Sequence, residues 1–250
     1  MLPFIHIGPI TLGTYGIFVA IGLLVGFFVV QSDLHRRGLS ADPNAIVGFT
    51  GLAGLACSRL YHLLETPHEF FANPWPLLFS TMGFAWFGAA IGGLVALLLI
   101  ARHYKMSALL MLDIASPAAA IGYGFGRVGC LISGDGDYGT PTSLPWGMSF
   151  PNGLVPTTDR VHPTPIYEFL AAVLIFWILW KLGARWMRNP RTVGNIFAVY
   201  LLLSGVARFL VEFIRLNPRS FFGMTNAQTA SLAGILLGVV ILLRTRASTA

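Results

Sequence analysis

Charge is what this chain has least of. Only 10% of its 250 residues are Asp, Glu, Lys or Arg, against 55% hydrophobic, where a soluble domain carries about a quarter charged. That balance excludes an ordinary water-soluble fold. Cysteine is scarce as well: Cys57 and Cys130 stand alone among apolar or glycine neighbours, so no disulfide framework is expected. No basic stretch precedes the first apolar run and no small-residue cleavage site follows it. The first hydrophobic segment is therefore expected to stay in the mature protein rather than leave as a signal peptide. No internal repeat is visible, which counts against an alternating-access transporter, and no filter-like segment suggests a channel.

What the chain does have is long apolar runs. They fall near 15–30, 45–64, 84–100, 109–125, 164–182, 196–214 and 227–243, each close to the roughly 20 residues that cross a bilayer as a helix. The expected fold is all-α: a polytopic integral membrane protein of about seven transmembrane helices, forming a single membrane domain over 1–250. The segment 70–79, with Trp75 between prolines, is too short to span and reads as an interfacial or re-entrant element. A long outer loop rich in Gly, Pro and Asp is expected over 127–163.

Ten of the sixteen Lys and Arg residues lie in four alternate segments: 32–43, 102–107, 181–191 and the tail. The positive-inside rule places these four in the cytoplasm, with the N-terminus outside and the C-terminus inside. The formal charge of +6 is thereby explained without nucleic acid as a partner. Six arginines remain: Arg59, Arg127, Arg160, Arg208, Arg215 and Arg219. Arg59, Arg127 and Arg208 fall inside or at the end of expected spans, where an unpaired charge costs several kcal/mol. Arg208, Glu212 and Arg215 follow one another at helical spacings and so share one stripe. A guanidinium in a low-dielectric setting suits bidentate binding of a phosphate, with a carboxylate to orient it. The alternative for this array is a staple between two helices. Asp113 is expected to cap broken backbone near Gly122 and Gly124.

The run 122–139 carries seven glycines, at 122, 124, 126, 129, 134, 136 and 139. Small residues at this spacing allow close backbone approach to a ligand or to another helix. Here Gly126-Arg127-Val128-Gly129, followed by Gly134 and by Tyr138-Gly139, resembles the signature of the prolipoprotein diacylglyceryl transferase family. Gly8-Pro9-Ile10 with Tyr15-Gly16 resembles that family's N-terminal segment, and His162-Pro163 with Tyr167-Glu168 resembles its His-Pro-x-x-x-Tyr-Glu stretch. Gly205, Arg208, Glu212 and Arg215 resemble its penultimate helix, and Met224-Thr225 with Gln228 the entry to its last. The resemblance covers nearly the whole chain.

It implies transfer of the diacylglyceryl group of phosphatidylglycerol to the lipobox cysteine thiol in the signal peptide of a prolipoprotein. A thioether forms and glycerol phosphate leaves, in the bacterial cytoplasmic (inner) membrane, with no cofactor and no metal. The nucleophile then belongs to the substrate. Arg127 and Arg208 match the family positions for a phosphate clamp, with Glu212 as orienting carboxylate and Asp135 as the acidic residue after the glycine. Tyr15, Arg59, Gly126, Gly129, Gly134, Tyr138, Tyr167, Glu168 and Arg215 are the expected substrate-binding positions. The chain departs from the family pattern at Cys130 and Leu131, where Asn-Phe is usual, and by one extra residue in 134–138. It departs again at Phe87, where a His or Tyr is common, and at Ser204, where a Tyr is frequent. His162 then remains as the histidine for proton transfer, with helix capping as the alternative. Two readings stay open: an active transferase, or a divergent paralogue that binds phospholipid or prolipoprotein without this turnover.

Overall fold

A computed structural model describes residues 1–72, 74–75, 85–186 and 189–247. Helices stand at all seven expected positions. They are α1 (Thr14–Arg37), α2 (Pro43–Glu65), α4 (Trp86–His103), α5 (Ala108–Ser133), α6 (Thr164–Trp186), α7 (Asn195–Val211) and α8 (Asn226–Ala247), with a short additional α3 (Pro67–Ala72) after α2. Five of them, α1, α4, α5, α6 and α8, are long and apolar enough to cross a membrane. The fold is an all-α, polytopic membrane architecture. At 17 residues, α7 is shorter, about 25 Å at the α-helical rise. Of the interfacial or re-entrant element expected over 70–79, residues 73 and 76–79 lie outside the described residues.

One before α1 and two between later helices, three two-stranded antiparallel hairpins interrupt the helices in a way the apolar pattern did not announce. They are β1 (Phe4–Ile7) with β2 (Ile10–Gly13), β3 (Met148–Phe150) with β4 (Thr157–Val161), and β5 (Arg219–Phe221) with β6 (Met224–Thr225). The β3–β4 hairpin organises the long loop after α5. Tyr138 stacks on Phe150 at 5.2 Å between centroids, and both are buried with Val161.

The chain divides into two compact units, Val30–Leu112 on one side and Met1–Val29 with Asp113–Ala250 on the other. In the first, α2 opens with Asp42 as N-cap, accepting from the Asn44 amide at 2.8 Å, and Pro43 at the first helical position, a pairing that suits the free amides of a helix start. Alongside it runs α4, whose Gly88 and Gly92 lie against Cys57 and Ala53 so closely that a Cβ at either would collide. Small residues take the place of side-chain interdigitation at this contact. Buried Asp33 pairs with Arg36 and Arg37 in the last turns of α1.

In the second unit α1 meets α5 through glycines. A Cβ on Gly22 would lie 3.1 Å from the Gly122 carbonyl oxygen, and one on Gly129 would lie 3.2 Å from Tyr15. Ala120, Ile175, Leu179 and Ile196 form a buried core joining α5, α6 and α7. On α7 and α8, Gly205 packs on Ser231 and Ile235, and Gly238 on Ala198. The backbone enters α7 through Gly194 at φ 94°, a left-handed conformation open to glycine. No side chain of its own caps that helix. The cap comes from α5: buried Asp113 accepts from the Gly194 amide at 2.7 Å and the Phe197 amide at 2.8 Å. The expectation that Asp113 serves its own helix near Gly122 and Gly124 is thus corrected, since α5 is unbroken there. A carboxylate at a helix N-terminus satisfies orphan amides and complements the macrodipole.

Candidate functional site

Three arginines and three carboxylates converge in the second unit. Arg127 comes from α5, which runs on to Ser133 rather than ending near 125, so the residue sits within helix and not at a loop entrance. Arg208 comes from the last turn of α7, and Glu212 and Arg215 follow just beyond that helix's end at Val211. Glu168 stands near the start of α6, and Asp137 on the loop after α5.

Glu168 is the hub. Its side chain is only 4% exposed and pairs with Arg208 at 2.5 Å, Arg215 at 3.2 Å and Arg127 at 3.5 Å; the Tyr123 hydroxyl donates to it as well. Glu212 is fully buried and pairs with Arg208 at 2.5 Å and Arg215 at 3.5 Å. It also accepts from Asn217 Nδ2 at 2.9 Å and Thr225 Oγ1 at 2.8 Å. Asp137 bridges Arg127 and Arg215, one carboxylate oxygen to each. Its own carbonyl accepts from Thr164 Oγ1 and, at 3.3 Å, from Arg215. The Arg127 guanidinium also lies 4.9 Å over the Tyr123 ring, a favourable cation–π placement. Buried charges are tolerated only when paired and hydrogen-bonded in this way.

The stripe read from spacing, Arg208, Glu212 and Arg215, is therefore assembled, and Arg127 and Glu168 join it. Asp135 makes none of these ion pairs among the described residues. Its carboxylate accepts from the Asp137 amide at 3.2 Å, and Asp137, two residues on, is the loop acid that meets the arginines. Asp137 was not singled out in the sequence. Nor was Tyr123, though it lies four residues before Arg127 and so on the same helical face. Burial would raise the Asp137 carboxyl, but the Arg127 and Arg215 charges hold it below its ordinary value. Burial and then the neighbouring Asp137 charge push Asp135 above it.

The remaining expected residues fall elsewhere. His162, where β4 gives way to α6, places Nδ1 3.2 Å from the Tyr167 hydroxyl, which accepts from Trp146 Nε1 at 2.8 Å. These three form their own polar chain. Tyr138 is spent in the hairpin core, its hydroxyl donating to the Val155 carbonyl at 3.3 Å. Gly129 serves the contact with Tyr15, which is itself exposed. Gly126 faces open space, and Gly134, at φ 60°, abuts Gly153. Arg59 is buried in α2, in the unit Val30–Leu112. Cys130, Asp135 and Asp137 bring ligand atoms within 4.8 Å of one another, but both Asp137 oxygens are engaged by arginines. A cation there would face guanidinium charge.

In this cluster each guanidinium is engaged by carboxylates of the protein itself. Fixed guanidiniums in a low-dielectric site bind phosphate strongly and need no reorganisation when charge develops on it.

Comparison with known proteins accords with the geometry. A family model described as prolipoprotein diacylglyceryl transferase matches residues 3–244. The chain is similar to the phosphatidylglycerol–prolipoprotein diacylglyceryl transferase of Clostridium tetani, 33% identical over 233 residues, covering 91% of this chain and 90% of that protein. It is similar to the protein of the same name from Geobacter sulfurreducens, 32% identical over 250 residues, with 95% and 92% covered. The counterpart from Synechocystis sp. is 32% identical over 243 residues, with 93% and 85% covered.

Proposed function

The chain belongs to the prolipoprotein diacylglyceryl transferase family, and from that premise we infer that it moves the diacylglyceryl group of phosphatidylglycerol onto a prolipoprotein. It is a multi-pass membrane protein, seated in this reading in the bacterial inner membrane with seven spans, N-terminus outside and C-terminus in the cytoplasm. The names its relatives carry, all of transferases, favour turnover over binding alone.

The acceptor is the lipobox cysteine thiol. Its sulfur attacks the glyceryl carbon that carries the phosphate ester; the carbon–oxygen bond breaks, a thioether forms, and glycerol phosphate leaves with the electron pair. The phosphodiester begins with one negative charge and departs as a monoester able to carry two. Cations that gain most from that added charge lower the barrier, because only interactions stronger in the transition state accelerate the step.

Arg127, Arg208 and Arg215 together hold the phosphate, and Glu168 and Glu212 fix the guanidinium planes. The observation that carries this reading is the convergence of Arg127, Arg208 and Arg215 on the single buried carboxylate of Glu168. His162, hydrogen-bonded to Tyr167, takes the thiol proton, imidazole being the side chain that most often serves as general base. Tyr15 faces the lipid headgroup.

The test is transfer from radiolabelled phosphatidylglycerol to a lipobox peptide by purified protein, with a Cys→Ser peptide as control. Thiol-dependent labelling, lost in Arg127→Ala and Arg208→Ala, is the expected result. Lipid binding without labelling would overturn the assignment.

A further inference from the structure

The arginine cluster carries its own anions in equal number. Arg127, Arg208 and Arg215 are matched by Asp137, Glu168 and Glu212. A phosphate entering this cluster would add negative charge to a site already neutralised, so one carboxylate must give way.

The three acids differ in how firmly they are held. Glu212 is fully buried and fixed by Arg208, Arg215, Asn217 and Thr225. Glu168, 4% exposed, is shared by three arginines and Tyr123. Asp137 is 30% exposed, and among the described residues its carboxylate is held by two arginines. It also sits on irregular backbone, directly after Gly136 at φ 91°, whereas Glu168 rides on a helix. With one oxygen on each of two guanidiniums, Asp137 imitates the bridging geometry of a phosphate.

We propose that Asp137 is a displaceable internal ligand of the clamp, occupying the phosphate position in the resting site, yielding it to the substrate phosphate, and returning to expel glycerol phosphate. This rests on reading the cluster as a phosphate clamp. No bond forms or breaks in the exchange. One anion replaces another on Arg127 and Arg215, so the cluster avoids standing uncompensated in a low-dielectric setting at any stage. The arrangement trades affinity for release: the product, with more charge than the substrate, would otherwise be the tightest ligand of the cycle. Headgroups without an accessible phosphate cannot make the exchange.

The experiment is equilibrium binding of inorganic phosphate and of glycerol phosphate to the full-length protein in detergent, comparing wild type with Asp137→Asn, Asp137→Ser and Asp137→Glu. Removing an opposing charge this close is expected to tighten both anions by about tenfold or more in the two neutral variants. Asp137→Glu, which keeps the charge, is expected to stay near wild type. In the transfer assay the neutral variants should show product inhibition at correspondingly lower glycerol phosphate. Unchanged or weaker anion binding in both neutral variants, with their thermal transitions intact, would overturn the proposal. Tighter binding by the neutral variants of a protein that shows no transfer would uphold the displaceable ligand and sink the transferase reading instead.

Discussion

Arg208 Nη1 donates to Glu168 Oε1 at 2.5 Å across 40 residues of sequence, tying the end of one helix to the beginning of another. Through this contact the arginine cluster is a structural joint as well as the proposed phosphate clamp, and the two roles separate only in well-chosen variants.

The clearest contrast is between two arginines near one another in sequence. Arg208→Ala is expected to lower transfer by about 10²–10³-fold, as loss of a donor to developing charge does. Exposed Arg219, whose contact is a carbonyl at 3.5 Å, should tolerate Ala within about twofold. Equal activities in the radiolabel assay would remove the clamp argument.

Removal of Glu168 leaves three guanidiniums short of a partner. Glu168→Ala should destabilise by about 3–5 kcal/mol, the usual penalty for breaking a buried pair from one side. The double variant Arg208→Ala/Glu168→Ala should cost less than the sum of the singles. Thermal denaturation in detergent measures both, and strict additivity would contradict the coupling.

Seven helices were legible in the sequence because a span needs a long apolar run, and such runs are hard to disguise. The pairing of Arg208 with Glu212 was legible for the same reason, since helical spacing is local, whereas Arg215 lies past the helix's end at Val211 and that spacing does not set its place. What sequence could not give is which loop acid the arginines meet. Asp135 stood where an acid was expected, yet Gly136, at φ 91°, turns the chain so that Asp137 reaches Arg127 and Arg215. Asp113 showed its polarity in sequence but not its target, which lies 81 residues away at Gly194. The hairpins escaped notice because strands of two to five residues leave too few positions for alternation to be read.

Two glycines on one helix should respond differently to the same substitution. A Cβ on Gly22 would meet the Gly122 carbonyl at 3.1 Å and Phe125 at 3.2 Å, whereas one on Gly26 would find Ala118 at an ordinary 3.7 Å. Gly22→Ala is expected to cost about 1–3 kcal/mol through overpacking, and Gly26→Ala little or nothing. Comparison of their thermal transitions is decisive, and the reverse order would refute the close contact of α1 with α5.

The two loop acids carry opposite pH signatures. Burial and the Asp137 charge raise the Asp135 carboxyl, so stability is lost as pH rises from the ordinary carboxylate range through its folded value. Asp135→Asn should therefore melt higher than wild type at pH 7, with the advantage gone near pH 3. Asp137, lowered by Arg127 and Arg215 against the effect of burial, contributes stability above its ordinary value that fades as pH falls through the lower, folded one. Melting curves across this range check both signs.

Asp113→Ala removes the acceptor of two amides at once. The expected loss is about 1–3 kcal/mol, from the cap and from the buried donors it leaves unsatisfied. Asp113→Asn, which keeps an acceptor, should recover part of it in the same melting experiment. Equal melting of Asp113→Ala and wild type would show that the cap contributes nothing.

That cap does more than finish a helix. From Gly194 to Arg208 the chain climbs about 20 Å along a single helical rod, so the height of the guanidinium is gauged from the far end, where Asp113 pins the first amides. α7 thus works as a ruler with its zero mark on α5. Lengthening it by one residue between these points would turn Arg208 by about 100° away from Glu168 and raise it by about 1.5 Å, putting the site out of alignment without altering any residue in it.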